Sequence, residues 1–287
     1  MTSSDRRLVA VAGAQLDVVI FDAGADARAP VIAAAHPADA FNEGTAALLA
    51  DAVGPSRIVC INPRGVGAST PLEPAQRYTL ADMVDDIEAV RHALALPPWI
   101  FWGMSGGGWL AQLYAHRHAH ALSHVIIESV CPCFRLRLAD AACLASPLHP
   151  AWRAKLDAAG LLDAHAHDDA GDVEWREVAG VGAVLCRRDG GAVLVAPMAL
   201  PPALLHIMPE LWRFDARGWL DAVTTPALVI AGSADPIVPV AHARAVHTRL
   251  RDSEWLLVDG AGHVPVQEKR EEVQAGVRRW LSSRRSS

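Results

Sequence analysis

A chain of 287 residues is long enough to bury a large core, either as one α/β domain with an insertion or as two domains. Hydrophobic residues make up 52% and charged residues 20%, which excludes a disordered chain, and a net charge of −6 offers no attraction to nucleic acid or an anionic membrane. Five cysteines, an odd number without C-x-x-C spacing, exclude a disulfide framework and a zinc knuckle and favour a reducing cytoplasm.

The polar start is followed by apolar residues that Gly13, Gln15 and Asp17 interrupt before a signal-peptide core or a membrane span could form. Residues 8–22 read instead as two short strands around a Gly13 turn. A third, almost wholly apolar strand spans 30–36 and runs into the loop His36-Pro37-Ala38-Asp39-Ala40-Phe41-Asn42-Glu43-Gly44, then an Ala/Leu-rich helix through Val53. A fourth strand at 57–61 precedes the turn-rich segment Asn62-Pro63-Arg64-Gly65-Val66-Gly67-Ala68-Ser69. Thr79 and Asp82 form a capping box for a helix carrying Met83, Ile87, Val90 and Leu94 at helical spacing until Pro97 stops it.

The next strand, Trp99-Ile100-Phe101-Trp102, leads into Gly103-Met104-Ser105-Gly106-Gly107 and a helix with Trp109, Leu110, Leu113 and Tyr114 on one face. A serine on a sharp strand-to-helix turn takes strained dihedrals and tolerates only very small neighbours two residues to either side, here Gly103 and Gly107. After a strand at 125–127 the alternation fails. Residues 131–220 hold helical scraps and a hairpin signal at Asp189-Gly190-Gly191, and read as a cap inserted into a core made of 1–130 and 221–287. Strands at 227–231 and 255–258, separated by a helix at 240–250, restore the rhythm, and a helix at 267–281 closes it before a frayed tail.

A serine nucleophile needs a base and a carboxylate to orient that base. Asp235, in Gly232-Ser233-Ala234-Asp235-Pro236, and His263, in Gly260-Ala261-Gly262-His263-Val264, each stand just past a strand, where a parallel sheet presents its carboxyl-end loops. Glu128, ending the strand after the nucleophile helix, is a rival acid.

In the order Ser, Asp, His, and in the Arg64-Gly65-Val66-Gly67-Ala68-Ser69 loop, the chain resembles the α/β-hydrolases, from the branch of proline iminopeptidases and cofactor-free esterases and lactonases. The resemblance implies a mostly parallel sheet flanked by helices with an inserted cap, and a triad of Ser105, Asp235 and His263. That branch has His-Gly after its third strand, whereas this chain has His36-Pro37; proline cannot donate, so the oxyanion donors are expected from the amides of Gly106 and Ala38. Asn62 replaces a usual aspartate and is read as loop structure.

His36 is expected to order the loop and border the substrate, with Trp109, His206, Met208 and Trp212 lining a pocket and Trp175 as a further cap candidate. His116, His118, His120 and His124, with no carboxylate nearby in sequence, are read as a solvated helix end, and the run at His165 and His167 as an exposed loop. Glu174, Glu177 and Glu210 have no motif for binding a substrate amine. The expectation is a cytoplasmic enzyme that uses no cofactor or metal, acts on a small ester, lactone or amide, has no nucleic-acid or membrane partner, and is compatible with a homodimer. An iminopeptidase, a thioesterase or acyltransferase, a hydroxynitrile-type lyase and a ligand receptor that does not turn over remain open.

Overall fold

β1 (Thr2–Val11) and β2 (Ala14–Ala23) form the expected antiparallel hairpin, turned at Gly13, whose φ of 70° needs a residue without a Cβ. The alternating stretch follows as β3 (Val31–Ala35), α1 (Glu43–Val53), β4 (Ser56–Asn62), α2 (Leu80–Ala93), β5 (Trp99–Met104), α3 (Gly106–Arg117) and β6 (Leu122–Glu128). Then come α4 (Phe134–Leu138), α5 (Pro150–Ala158), β7 (Val173–Val178), β8 (Gly182–Arg187), β9 (Ala192–Val195) and α6 (Pro202–Arg213). The chain closes with β10 (Ala227–Gly232), α7 (Val240–His247), β11 (Ser253–Val258), α8 (Pro265–Glu268) and α9 (Arg270–Arg284). This computed structural model describes residues 2–26, 29–73, 76–163, 173–188, 190–196 and 202–284, the side chains of 202–206 and 209 excepted.

Eight strands form one sheet in the order β1-β2-β4-β3-β5-β6-β10-β11, parallel from β4 to β11. The central strands β3, β4, β5, β6 and β10 are largely buried on both faces and so mostly apolar, and their two-residue period sorts side chains to opposite layers. Val59, Ile61, Trp99, Phe101, Val125 and Ile127 pack in one core with residues of α2 and α3. Ile58, Cys60, Ile100, Trp102 and Ile126 pack in the other with α1 and α9. The sheet therefore belongs to the α/β class with helices on both faces.

The strand order reverses between β3 and β5: from β3 the chain steps outward to β4 and then returns across β3 to β5. The carboxyl ends of the two neighbours open a crevice there, the usual ligand position in such sheets. His36 follows β3 and Ser105 follows β5.

Within 131–220 the hairpin signal corresponds to β8 and β9, paired antiparallel, with Gly190 and Gly191 between them; Asp189 lies outside the described residues. β7 adds a third strand that the sequence did not announce. Leu156, Val184, Cys186, Ala192 and Val195 make a small core of their own, while Leu185, Val193, Ile207, Leu211 and Trp212 join the larger core shared with α3. Where a frayed tail was expected from Ser282, α9 continues to Arg284, whose guanidinium donates to both carboxylate oxygens of Asp252 at 2.6 and 3.0 Å. Among the described residues no helix is long and apolar enough to cross a membrane.

Candidate active site

Ser105 sits between β5 and α3 with φ 48° and ψ −114°, a conformation that costs energy for any residue with a side chain. A Cβ on Gly103 would run into the Gly107 carbonyl, and one on Gly107 into the carbonyl oxygen of Ala35. The two glycines thus let the turn close against β3. The Ser105 amide donates to the Glu128 carbonyl at 2.9 Å, tying the turn to β6. Gly106 opens α3, so its amide is one of the donors a helix start leaves without an intrahelical acceptor.

Asp235 and His263 come from the two strands beyond. A Cβ on Gly232 would collide with the carbonyls of Ala261 and Gly262, so glycine there allows the acid strand and the His263 loop to touch. Asp235 Oδ1 accepts from the amides of Ile237 and Val238 at 2.8 and 2.9 Å, which leaves Oδ2 facing His263 Nδ1 at 2.8 Å. His263 Nε2 then lies 2.8 Å from Ser105 Oγ. The Glu268 carboxylate accepts from the amides of Gly262 and Val264, at 2.6 and 2.9 Å, and so braces the turn that carries the imidazole. Glu268 was not singled out from sequence; its position at the end of α8, five residues past His263, is a signal only once the turn it accepts from is known.

The rival acid has a different attachment. Glu128 is fully buried, and strand parity turns it to the α9 side, where Oε2 accepts from Trp102 Nε1 at 2.8 Å and Oε1 from the Val266 amide at 3.0 Å. Burial pushes its carboxyl up to about 7, against the pull of those two donors and the nearby His263. A carboxyl held protonated in the fold but ionised in the unfolded chain binds more protons when native. Stability is therefore fullest below the ordinary value of 4.5 and is lost as pH rises to about 7. Urea unfolding from pH 4.5 to 7 should show wild-type protein losing about 3 kcal/mol more than Glu128→Gln, at 1.36 kcal/mol per unit; parallel curves would refute the protonated carboxyl.

Other expected residues are placed as follows. The Ala38 amide points at His36 Nδ1, 3.3 Å away, and the Asp39 amide meets the same nitrogen at 2.9 Å. Asn62 accepts from the Phe41 amide at 2.7 Å and donates to the Phe41 carbonyl at 3.1 Å and to Asp17 at 2.9 Å, so it fastens the β3 loop to the end of β4. The Arg64 guanidinium grips Asp86 with two 2.8 Å bonds, joining its loop to α2. Trp109 is buried edge-on against Phe134 at 5.3 Å, and Met208 and Trp212 lie in the same core. Trp175 packs half-buried against that core from β7, whereas the His206 side chain lies outside the described residues.

The histidines at and beyond the end of α3, read from sequence as a solvated helix end, have partners. His116 stacks on Trp219 with centroids 4.5 Å apart, His118 Nε2 meets Asp85 at 2.7 Å, and His120 Nε2 lies 3.7 Å from Glu88. Those carboxylates belong to α2, which only packing brings near. Among the described residues no three His, Cys, Asp or Glu side chains are grouped to hold a metal ion. The run at His165 and His167 lies outside the described residues.

Comparison with known proteins agrees with this architecture. Residues 40–164 match the model of the alpha/beta hydrolase fold, and residues 211–285 that of the TAP-like proteins. The pimeloyl-[acyl-carrier protein] methyl ester esterase of Aromatoleum aromaticum is 32% identical over 71% of this chain and 82% of its own length. The proline iminopeptidase PfmaB of Pestalotiopsis fici is 28% identical over 78% of this chain and 81% of its own. An alpha/beta fold family hydrolase from Bacillus anthracis str. Sterne superposes with a TM-score of 0.72, at 14% identity, over 96% of this chain and 98% of its own. From its sheet, its strand-to-helix turn and these relatives, the chain is an enzyme that belongs to the α/β-hydrolase fold family.

Proposed function

We propose that this enzyme is a serine hydrolase that cleaves a small ester or lactone through an acyl-serine intermediate. The observation that carries the reading is the unbroken hydrogen-bond line from Ser105 Oγ through both ring nitrogens of His263 to Asp235, with 2.8 Å at each step. His263 Nε2 takes the Ser105 proton as Oγ attacks the carbonyl, and Asp235 holds the proton on Nδ1 and steadies the imidazolium. The tetrahedral oxyanion forms beside the Gly106 amide, each such donor contributing about 3 kcal/mol. Nε2 then protonates the leaving group, and a water activated by the same nitrogen releases the acid.

Residues 131–220 act as the cap that selects the substrate, and 1–130 with 221–287 as the catalytic body. Similarity to both an esterase and an iminopeptidase leaves the scissile bond to be chosen by chemistry. A peptidase that recognises an amine needs an available carboxylate. Glu174 is already bridged to Arg176 at 2.8 Å and to Arg188 at 3.6 Å, Glu210 lies 3.8 Å from Arg77, and Glu177 is exposed to solvent on β7, which favours the ester reading. Five buried free cysteines are in keeping with a cytoplasmic setting. A panel of short acyl esters, lactones, thioesters and proline arylamides should give its highest kcat/KM among the esters or lactones. Preference for a proline arylamide would replace this reading with the peptidase.

A further inference from the structure

We infer that the imidazole of His36 donates its Nε2 proton into the oxyanion pocket, so that a side chain takes the place beside Gly106 expected of the Ala38 amide. This rests on the serine-hydrolase reading above and concerns how that site stabilises its transition state.

The loop after β3 has few backbone donors to offer. Pro37 has no N–H, and the Ala38 amide is directed back at His36 Nδ1. That arrangement also determines where the ring proton sits. Nδ1 receives two backbone amides, Asp39 at 2.9 Å and Ala38 at 3.3 Å, and a nitrogen that accepts carries no hydrogen. The Asp39 carboxylate, 3.1 Å from Nδ1, pulls the other way, but it is on a side chain 58% exposed that can turn to water, whereas the amides are built into the turn. Burial lowers His36 to about 4, outweighing Asp39 and aided by the nearby His263, so the ring is neutral around pH 7. A neutral ring has one N–H, and it is on Nε2.

Nε2 faces the nucleophile turn. A Cβ on Gly106 would lie 2.5 Å from His36 Nε2 and 2.9 Å from Cε1, so the edge of the imidazole rests against the Gly106 Cα. Among the described residues no group accepts the Nε2 hydrogen. The donor and the Gly106 amide thus flank one spot next to Ser105, at the crevice where β3 and β5 meet. A developing oxyanion there receives one backbone and one imidazole hydrogen bond. No bond to His36 forms or breaks, and its proton stays on Nε2 throughout.

Two substitutions separate this role from loop ordering, because each amide side chain copies one ring nitrogen. In His36→Asn the Oδ1 atom can still accept the Asp39 amide but nothing reaches the Nε2 position. In His36→Gln an N–H reaches that position while the acceptor is lost. With p-nitrophenyl acetate, His36→Asn should lower kcat about 100-fold with KM little changed and Tm near wild type. His36→Gln should keep more of kcat despite a lower Tm, and affinity for a trifluoromethyl ketone should fall in step with kcat/KM. His36→Asn at the wild-type rate, with His36→Gln the slower enzyme, would assign His36 to loop ordering and overturn the inference. Wild-type protein that neither reacts with a fluorophosphonate nor hydrolyses any ester would instead remove the hydrolase reading on which the inference stands.

Discussion

Replacing Ser105 with alanine should lower kcat by about 10⁶-fold, with loss of fluorophosphonate labelling, because nucleophile and base act as a unit and neither works alone. The fold should be undisturbed or stabilised. The Ser105 hydroxyl is hydrogen-bonded to His263, and the strained φ of 48° remains a cost of the turn either way. A measurement of kcat by ester hydrolysis, with Tm as the control, tests this. Retention of even a tenth of the rate with the label still bound would place the nucleophile elsewhere.

The second large effect distinguishes the two buried acids. In Asp235→Asn, the amides of Ile237 and Val238 still demand an oxygen where Oδ1 stood, so the new NH₂ group must face His263 Nδ1. Nδ1 then accepts, the ring proton moves to Nε2, and the base can no longer take a proton from Ser105. The expected fall in kcat is about 10⁴-fold, the cost of the wrong tautomer. Glu128→Gln should lose less than about tenfold, since its carboxyl group bonds Trp102 and the Val266 amide and not the imidazole. The reverse order of losses would make Glu128 the acid that orients His263.

Much of the core could be read from residues in order. The two-sided apolar strands, the Gly13 turn, the Thr79 capping box and the Gly103-Met104-Ser105-Gly106-Gly107 turn each depend on neighbours within a few residues, so local chemistry suffices to place them. Asp235 and His263 were candidates for the same reason, each being a polar residue in a glycine-bearing loop just past a buried strand. Residues 131–220 were less legible. α6 packs against α4, far back along the chain, and the helix-end histidines find Asp85 and Glu88 only because α2 and α3 pack side by side.

By itself, then, the sequence determined the alternation of strands and helices, the serine turn and the order of the three residues proposed as a triad, because periodicity, glycine geometry and turn chemistry are local. Tertiary structure alone decided that Ser105, His263 and Asp235 lie in hydrogen-bond line across 158 and 28 residues of chain. It also turned Glu128 toward Trp102 and Val266, and brought the His36 ring against Gly106. Those outcomes depend on which strands become neighbours and on the face each residue takes, and both follow from the sheet order.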